Sequence, residues 1–316
     1  MEETAILAQK LKSGHIPTLS RLMTFAESNL EKHREKVRQI IELAGFPKKE
    51  SIRIGISGSP GVGKSTFIES FGKILTSKGK KIAVLAVDPS SPLSKGSILG
   101  DKTRMEDLAK DPNAFIRPSP SSGELGGLAR KTIDLMKLCE LAGFDAIIVE
   151  TVGVGQSETD VKYLTDIFVL MILPGGGDDL QGIKKGAVEL ADMIVINKSD
   201  GDNNAIANIT KSDYLHAMKI IGGKKKARVF NCSAEEETGI DEIWLAIQDF
   251  IKEQKESGAF SKNRKEQLIY WFEKQLKDQV LRNYLKDNKS LYDEVVKEIM
   301  DGKQNLHEAL GKFNQL

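Results

Sequence analysis

Residues 58–65 read Gly-Ser-Pro-Gly-Val-Gly-Lys-Ser, a full match to the phosphate-loop pattern Gly-x-x-x-x-Gly-Lys-Ser/Thr through Gly58, Gly63, Lys64 and Ser65. The flanking sequence restricts the fold further. A β-branched run, residues 51–57, precedes the loop, and apolar Phe67, Ile68, Phe71, Ile74 and Leu75 follow it at helical spacing. A strand, a glycine-rich turn and a helix placed in that order aim backbone N–H groups and the positive helix end at a polyphosphate. Gly58, Ser59, Pro60, Gly61, Val62, Gly63, Lys64, Ser65 and Thr66 are therefore the expected phosphate cradle. Lys64 would reach the β- and γ-phosphates, and the Ser65 hydroxyl would ligate Mg²⁺. A chance glycine turn would lack both flanking elements.

A later segment reads the base. The strand-like run 191–197 ends in Asn197-Lys198-Ser199-Asp200. A carboxylate at Asp200 accepts from both N1–H and the 2-amino group of guanine, whereas adenine would leave that acceptor unpaired. Asn197 would tie this loop to the phosphate loop, and the Lys198 stem would lie along the base plane. Alone, Asn-Lys-x-Asp also suits any strand-to-helix turn; following a phosphate loop, it points to GTP over ATP. The polar turn Asn231-Cys232-Ser233-Ala234 follows another short strand and offers the backbone N–H groups of Ser233 and Ala234 to the guanine.

The metal and switch candidates lie between those loops. Apolar run 81–87 ends in Asp88, Asp101 follows within Gly100-Asp-Lys-Thr-Arg104, and run 144–149 ends in Glu150-Thr-Val-Gly153. Acidic residues at strand ends beside a phosphate loop orient Mg²⁺ or its water shell, so Ser65, Asp88, Asp101 and Glu150 form the candidate metal set. Asp88 and Asp101 each also read as cap or turn formers. Gly153 would offer its N–H to the γ-phosphate and move once that group leaves.

Apolar strands alternating with helical patterns over 48–254 predict an α/β P-loop NTPase domain, a mostly parallel sheet flanked by helices. Residues 1–47 are expected to form an N-terminal helical extension ended by Gly45 and Pro47, and residues 255–316 a C-terminal helical arm. In the arm, Leu268, Trp271, Phe272, Leu276 and Val280 make one apolar stripe, and Leu291, Val295, Val296, Ile299 and Met300 another. Periodicity leaves open whether these stripes cover the chain's own core or a second copy.

With 46 Lys plus Arg against 45 Asp plus Glu, the net charge of +1 supplies no field for nucleic acid or a membrane surface. No apolar run approaches the roughly eighteen residues of a membrane span. The start, Met1-Glu-Glu-Thr, resembles no leader, so a cytoplasmic protein is expected. Cys139 and Cys232 are too isolated for a disulfide framework or a metal cluster.

Five motifs together closely resemble the methylmalonyl-CoA mutase-associated GTPases of the MeaB/ArgK family: Asp88-Pro-Ser-Ser-Pro92, Gly100-Asp-Lys-Thr-Arg-Met105, Arg117-Pro-Ser-Pro-Ser-Ser-Gly123, Glu150-Thr-Val-Gly-Val-Gly-Gln-Ser-Glu158 and the glycine-rich segment 174–186. The resemblance implies a G-protein chaperone that protects a cobalamin-dependent acyl-CoA mutase and gates delivery of adenosylcobalamin. It also implies a homodimer built partly through the C-terminal arm. It makes 178–185 a third mobile switch, in which Gln181 and Lys184 respond to the partner and aid hydrolysis. The residues themselves leave that segment open: it could swing a lysine toward the γ-phosphate, or be a solvated loop.

Lys64, Asp101, Glu150, Gly153, Gln181 and Lys184 are the resulting catalytic set, with GTP or GDP as ligand and Mg²⁺ as cofactor. The alternatives are a P-loop kinase acting on a transport or small-molecule acceptor, for which no acceptor base stands out, and a metal-insertion GTPase, whose Cys/His clusters are missing from the sequence.

Overall fold

The computed structural model describes residues 2–87, 105–119, 127–151, 157–175, 185–222 and 228–313. Three helices come first: α1 (Glu2–Lys12), α2 (Ile16–Glu27) and α3 (Glu31–Ala44). Leu7, Leu11, Leu19, Leu22, Val37 and Ile40 bury their shared faces, as helical periodicity requires. His15 opens α2 by accepting the Thr18 N–H at 3.3 Å through Nδ1. Gly45, at φ +68°, closes α3 by donating its N–H to Ile41 O at 3.0 Å.

The central element is a seven-stranded, wholly parallel sheet in the order β3-β2-β4-β1-β5-β6-β7. Its strands are β1 (Ile52–Gly58), β2 (Ile82–Val87), β3 (Ala114–Ser119), β4 (Ala146–Thr151), β5 (Ile167–Ile172), β6 (Met193–Ile196) and β7 (Val229–Asn231). Helices α4 (Lys64–Ser77), α5 (Gly127–Ala142), α6 (Ser157–Lys162), α7 (Lys185–Leu190), α8 (Asn203–Gly222) and α9 (Ile240–Glu256) intervene and cover the faces. This is the P-loop NTPase architecture expected from the alternation of strands and helices.

Coverage of both faces explains the near-continuous apolar strands. On one face Ile54, Ile56, Ile148 and Val169 pack with Phe67, Phe71 and Trp244. On the other, Phe168, Leu170 and Ile194 pack with Val161 and Tyr214. Gly55 permits close approach there: a Cβ on it would lie 2.6 Å from Val161 Cγ1 and 2.8 Å from Thr165 Oγ1.

β1 lies between β4 and β5, and the chain leaves it toward β2 before returning to build the other half. That reversal opens a crevice at the strand C-termini, where open α/β sheets bind ligands. The opposite edge is closed by buried ions. Arg264 forks onto Asp166 with two bonds of 2.8 Å, and Arg53 meets Glu140 at 2.7 Å.

The chain divides into two compact units, Met1–Gln267 and Leu268–Leu316. The boundary falls inside α10 (Ala259–Asp287), and the second unit continues with α11 (Lys289–Met300) and α12 (Leu306–Phe313). In that unit a reciprocal cap starts α12: Glu308 N–H donates to Asn305 Oδ1 and Asn305 N–H to Glu308 Oε2, both at 3.0 Å. Leu268, Phe272, Val280 and Met300 are exposed, while Trp271 is buried. No helix among the described residues is long and apolar enough to cross a membrane.

Candidate nucleotide-binding site

The phosphate loop takes the shape its glycines allow. Gly61 and Gly63 sit at φ +80° and +90°, a region that side chains resist. A Cβ on Gly58 would lie 2.5 Å from Met171 O, and one on Gly63 would lie 2.6 Å from Asn197 Nδ2. Gly63 caps α4 without a side-chain bond, so the first turn of the helix presents its N–H groups to the crevice. The Lys64 ammonium donates to Gly58 O at 2.8 Å and Ser59 O at 3.2 Å, which holds it across the loop.

Glu150 reaches this loop from β4, in register with Ile56 on β1 and Ala86 on β2. The Ser65 hydroxyl donates to its Oε1 at 3.3 Å. A hydroxyl and a carboxylate converging beside a phosphate cradle are hard oxygen donors of the kind Mg²⁺ takes.

Asn197 is the joint of the site. It is buried at the end of β6 and donates through Nδ2 to Val62 O at 2.9 Å, inside the phosphate loop. Its Oδ1 accepts from Ala234 N–H at 3.0 Å and from Cys232 Sγ at 3.4 Å. One amide thus fixes the phosphate loop, the 197–200 turn and the 231–234 turn to each other. Ser199 N–H closes the arrangement on Cys232 O at 3.0 Å. Lys198 is exposed with φ +59°, and Asp200 is half-buried. Burial, with the nearby Asp200 charge, pushes the Cys232 thiol up to about 12, so it stays a neutral donor.

Two anchors of the 231–239 turn had no motif to announce them. Ser70 Oγ on α4 donates to Ala234 O at 2.6 Å, and Lys73 pairs with Glu237 at 2.8 Å. A bridge between Ser233 and Thr238 closes the loop, and Gly239 must lack a side chain because a Cβ would lie 2.5 Å from Asn231 O. Ser70 and Lys73 stand among several other polar residues of α4, Thr66, Glu69 and Thr76 included, so nothing local singles them out.

Among the expected site residues, the structure brings together Gly58 to Ser65, Glu150, Asn197, Ser233 and Ala234. Lys198 and Asp200 stand on the same joined turn, and Thr66 is exposed on the first turn of α4. Asp88, Asp101, Gly153, Gln181 and Lys184 lie outside the described residues.

Comparison with known proteins agrees with this geometry. The family model described as methylmalonyl-CoA mutase-associated GTPase MeaB matches residues 19–289. GTPase ArgK of Escherichia coli K12 is 49% identical over 278 residues, spanning 87% of this chain and 84% of that protein. The mouse mitochondrial methylmalonic aciduria type A homolog is 43% identical over 287 residues, covering 87% of this chain and 69% of its own. A crystal structure titled LAO/AO transport system kinase superposes with a TM-score of 0.79 at 37% identity, covering 100% of this chain and 99% of that one. Phosphate loop, parallel sheet and joined polar turns thus sit in a chain that belongs to the MeaB family of methylmalonyl-CoA mutase-associated GTPases, enzymes that convert GTP to GDP and phosphate.

Proposed function

We propose that this GTPase is Mg²⁺-dependent and works in the cytoplasm as a chaperone and switch for a cobalamin-dependent acyl-CoA mutase of the methylmalonyl-CoA mutase type, protecting it and gating adenosylcobalamin delivery. The observation that carries this reading is the convergence of three loops on buried Asn197, in a chain of the mutase-associated family. Such a joint transmits what the phosphate loop holds to the turn carrying Asp200, which selects guanine through paired acceptors.

The first turn of α4 and Lys64 bind the phosphates. Ser65 and Glu150 would hold Mg²⁺, which when bound supplies neutralisation of charge on the β- and γ-phosphates. Asp88 and Asp101 extend that metal set. Asp101, Glu150 and Gly153 couple nucleotide state to the switch segments, with Gln181 and Lys184 answering the partner. Ser233 and Ala234 N–H groups close over the base. The arm from residue 255 onward joins two copies as a homodimer; its exposed Leu268, Phe272 and Val280 support this, because a helical stripe of that size needs cover.

The test is phosphate release from GTP with and without the mutase. A rise of severalfold, confined to GTP, supports the switch; an unchanged rate with no complex on a sizing column removes the mutase from the reading. The transport-kinase title of the 37%-identical structure favours a second reading, phosphoryl transfer to an acceptor. Labelled γ-phosphate decides between them, since a kinase labels an acceptor and a switch releases free phosphate.

A further inference from the structure

We infer that a notch between α1 and α3 is the surface on which an acidic, amphipathic segment of the mutase partner docks in both nucleotide states. The inference rests on the mutase reading above and adds the place of contact. The open notch measures about 480 Å³, with Ala5, Ala8 and Leu43 supplying apolar wall and Gln9, Lys12 and Lys48 the polar rim. Among the described residues, no acidic side chain lines it.

Two observations point to an occupant. Lys12 and Lys48 form no ion pair among the described residues, whereas neighbouring Lys36 and Lys49 are held by Glu3 and Asp145 at 2.8 and 2.7 Å. Leu43 in its wall is 58% exposed, unlike the buried Val37, Ile40 and Ala44 of the same helix, and Phe46, two residues before Lys48 in the chain, is 88% exposed. Exposed apolar surface at Leu43 with two cations that pair with no acid among the described residues has an apolar and acidic complement. Most lining residues are themselves exposed, so the notch is too open to enclose a small molecule. It suits instead a helix laid along a groove, with one or two apolar anchors and carboxylates toward the lysines.

Position gives the nucleotide independence. Lys49 pairs with Asp145 at the start of β4, and a Cβ on Gly14 would lie 3.2 Å from Ala142 O at the end of α5. The notch therefore stands by the strand N-termini, on the edge opposite the phosphate loop. A partner held there stays tethered while the loops at the other edge change with nucleotide.

The experiment measures mutase affinity for the full chain loaded with GDP or with a non-hydrolysable GTP analogue. Phe46→Ser is one variant, and the charge reversal Lys12→Glu/Lys48→Glu is the second should the first fold poorly. The expected result is affinity about tenfold or more weaker in both states, a flatter salt dependence for the charge reversal, and unchanged basal GTP hydrolysis. Wild-type affinity in both variants overturns the inference while leaving the mutase reading intact, as does a loss confined to one nucleotide state. A shift in oligomeric mass on a sizing column overturns it by giving the notch to a second copy. Absence of mutase binding by the unaltered chain overturns both.

Discussion

The two edges of one sheet hold their polar groups in opposite ways. At the strand N-termini, full charges meet full charges: Arg264 on Asp166, Arg53 on Glu140, with Asp166 also accepting the Arg53 N–H at 2.8 Å. At the strand C-termini, Lys64 rests on carbonyl oxygens, Asn197 on a carbonyl and an N–H, and the end of α4 on a glycine cap. The first edge is matched internally and closed. The contacts described at the second are mostly to dipoles, the carbonyls under Lys64 and the amide of Asn197, which a charged phosphate can outbid. A parallel sheet thus stabilises itself at one edge and binds at the other.

The sharpest test is to unpair the closed edge. Arg264→Met leaves the buried Asp166 carboxylate without its guanidinium while Glu140 keeps Arg53, and should cost about 3–5 kcal/mol of stability, read as a fall in urea midpoint. Its KM for GTP should hold, and a large loss of nucleotide affinity would break the contrast between the edges. At the open edge, Lys64→Ala removes charge stabilisation and should lower phosphate release by about 10²–10³-fold with little change in melting temperature. Wild-type turnover in that variant would sink the assignment of the site.

Asn197→Ala separates the three loops and strands their partners, a loss of about 1–3 kcal/mol. It should also expose the Cys232 thiol, so iodoacetamide labelling at pH 8 rises from almost none. Equal labelling of variant and parent would mean that the joint does not shield Cys232. The smallest effect belongs to Asp145. Burial raises its carboxyl, but the Lys49 bond, the Lys81 N–H and the lysine charges outweigh that and hold it below 3.8. A carboxyl lowered by folding stabilises above its unfolded value, and this contribution fades as pH falls through the folded value. Lys49→Met should therefore move acid unfolding slightly upward in pH, by an amount worth about 0–1 kcal/mol. An unshifted acid limb would show that Lys49 contributes nothing there.

Much of the site was legible because it is local. Gly58 to Ser65 carry their chemistry in consecutive residues, and the turns at 197–200 and 231–234 follow strands visible as apolar runs. The ion cluster was not legible: Arg53 and Arg264 lie 98 to 113 residues from the Asp166 they share, and nothing in their neighbours marks them as partners of a buried carboxylate. Ser70 was equally silent, since its acceptor lies 164 residues away.

By itself the sequence determined the nucleotide chemistry, the parallel sheet and the family, because glycine conformations, strand periodicity and five motifs are properties of short segments. Only the tertiary structure decided that one buried amide joins three loops, that charges close the far edge, and that Leu43 and two lysines line one exposed notch. Those facts depend on which distant residues meet, and chain contact at such separations is set by packing of the whole sheet.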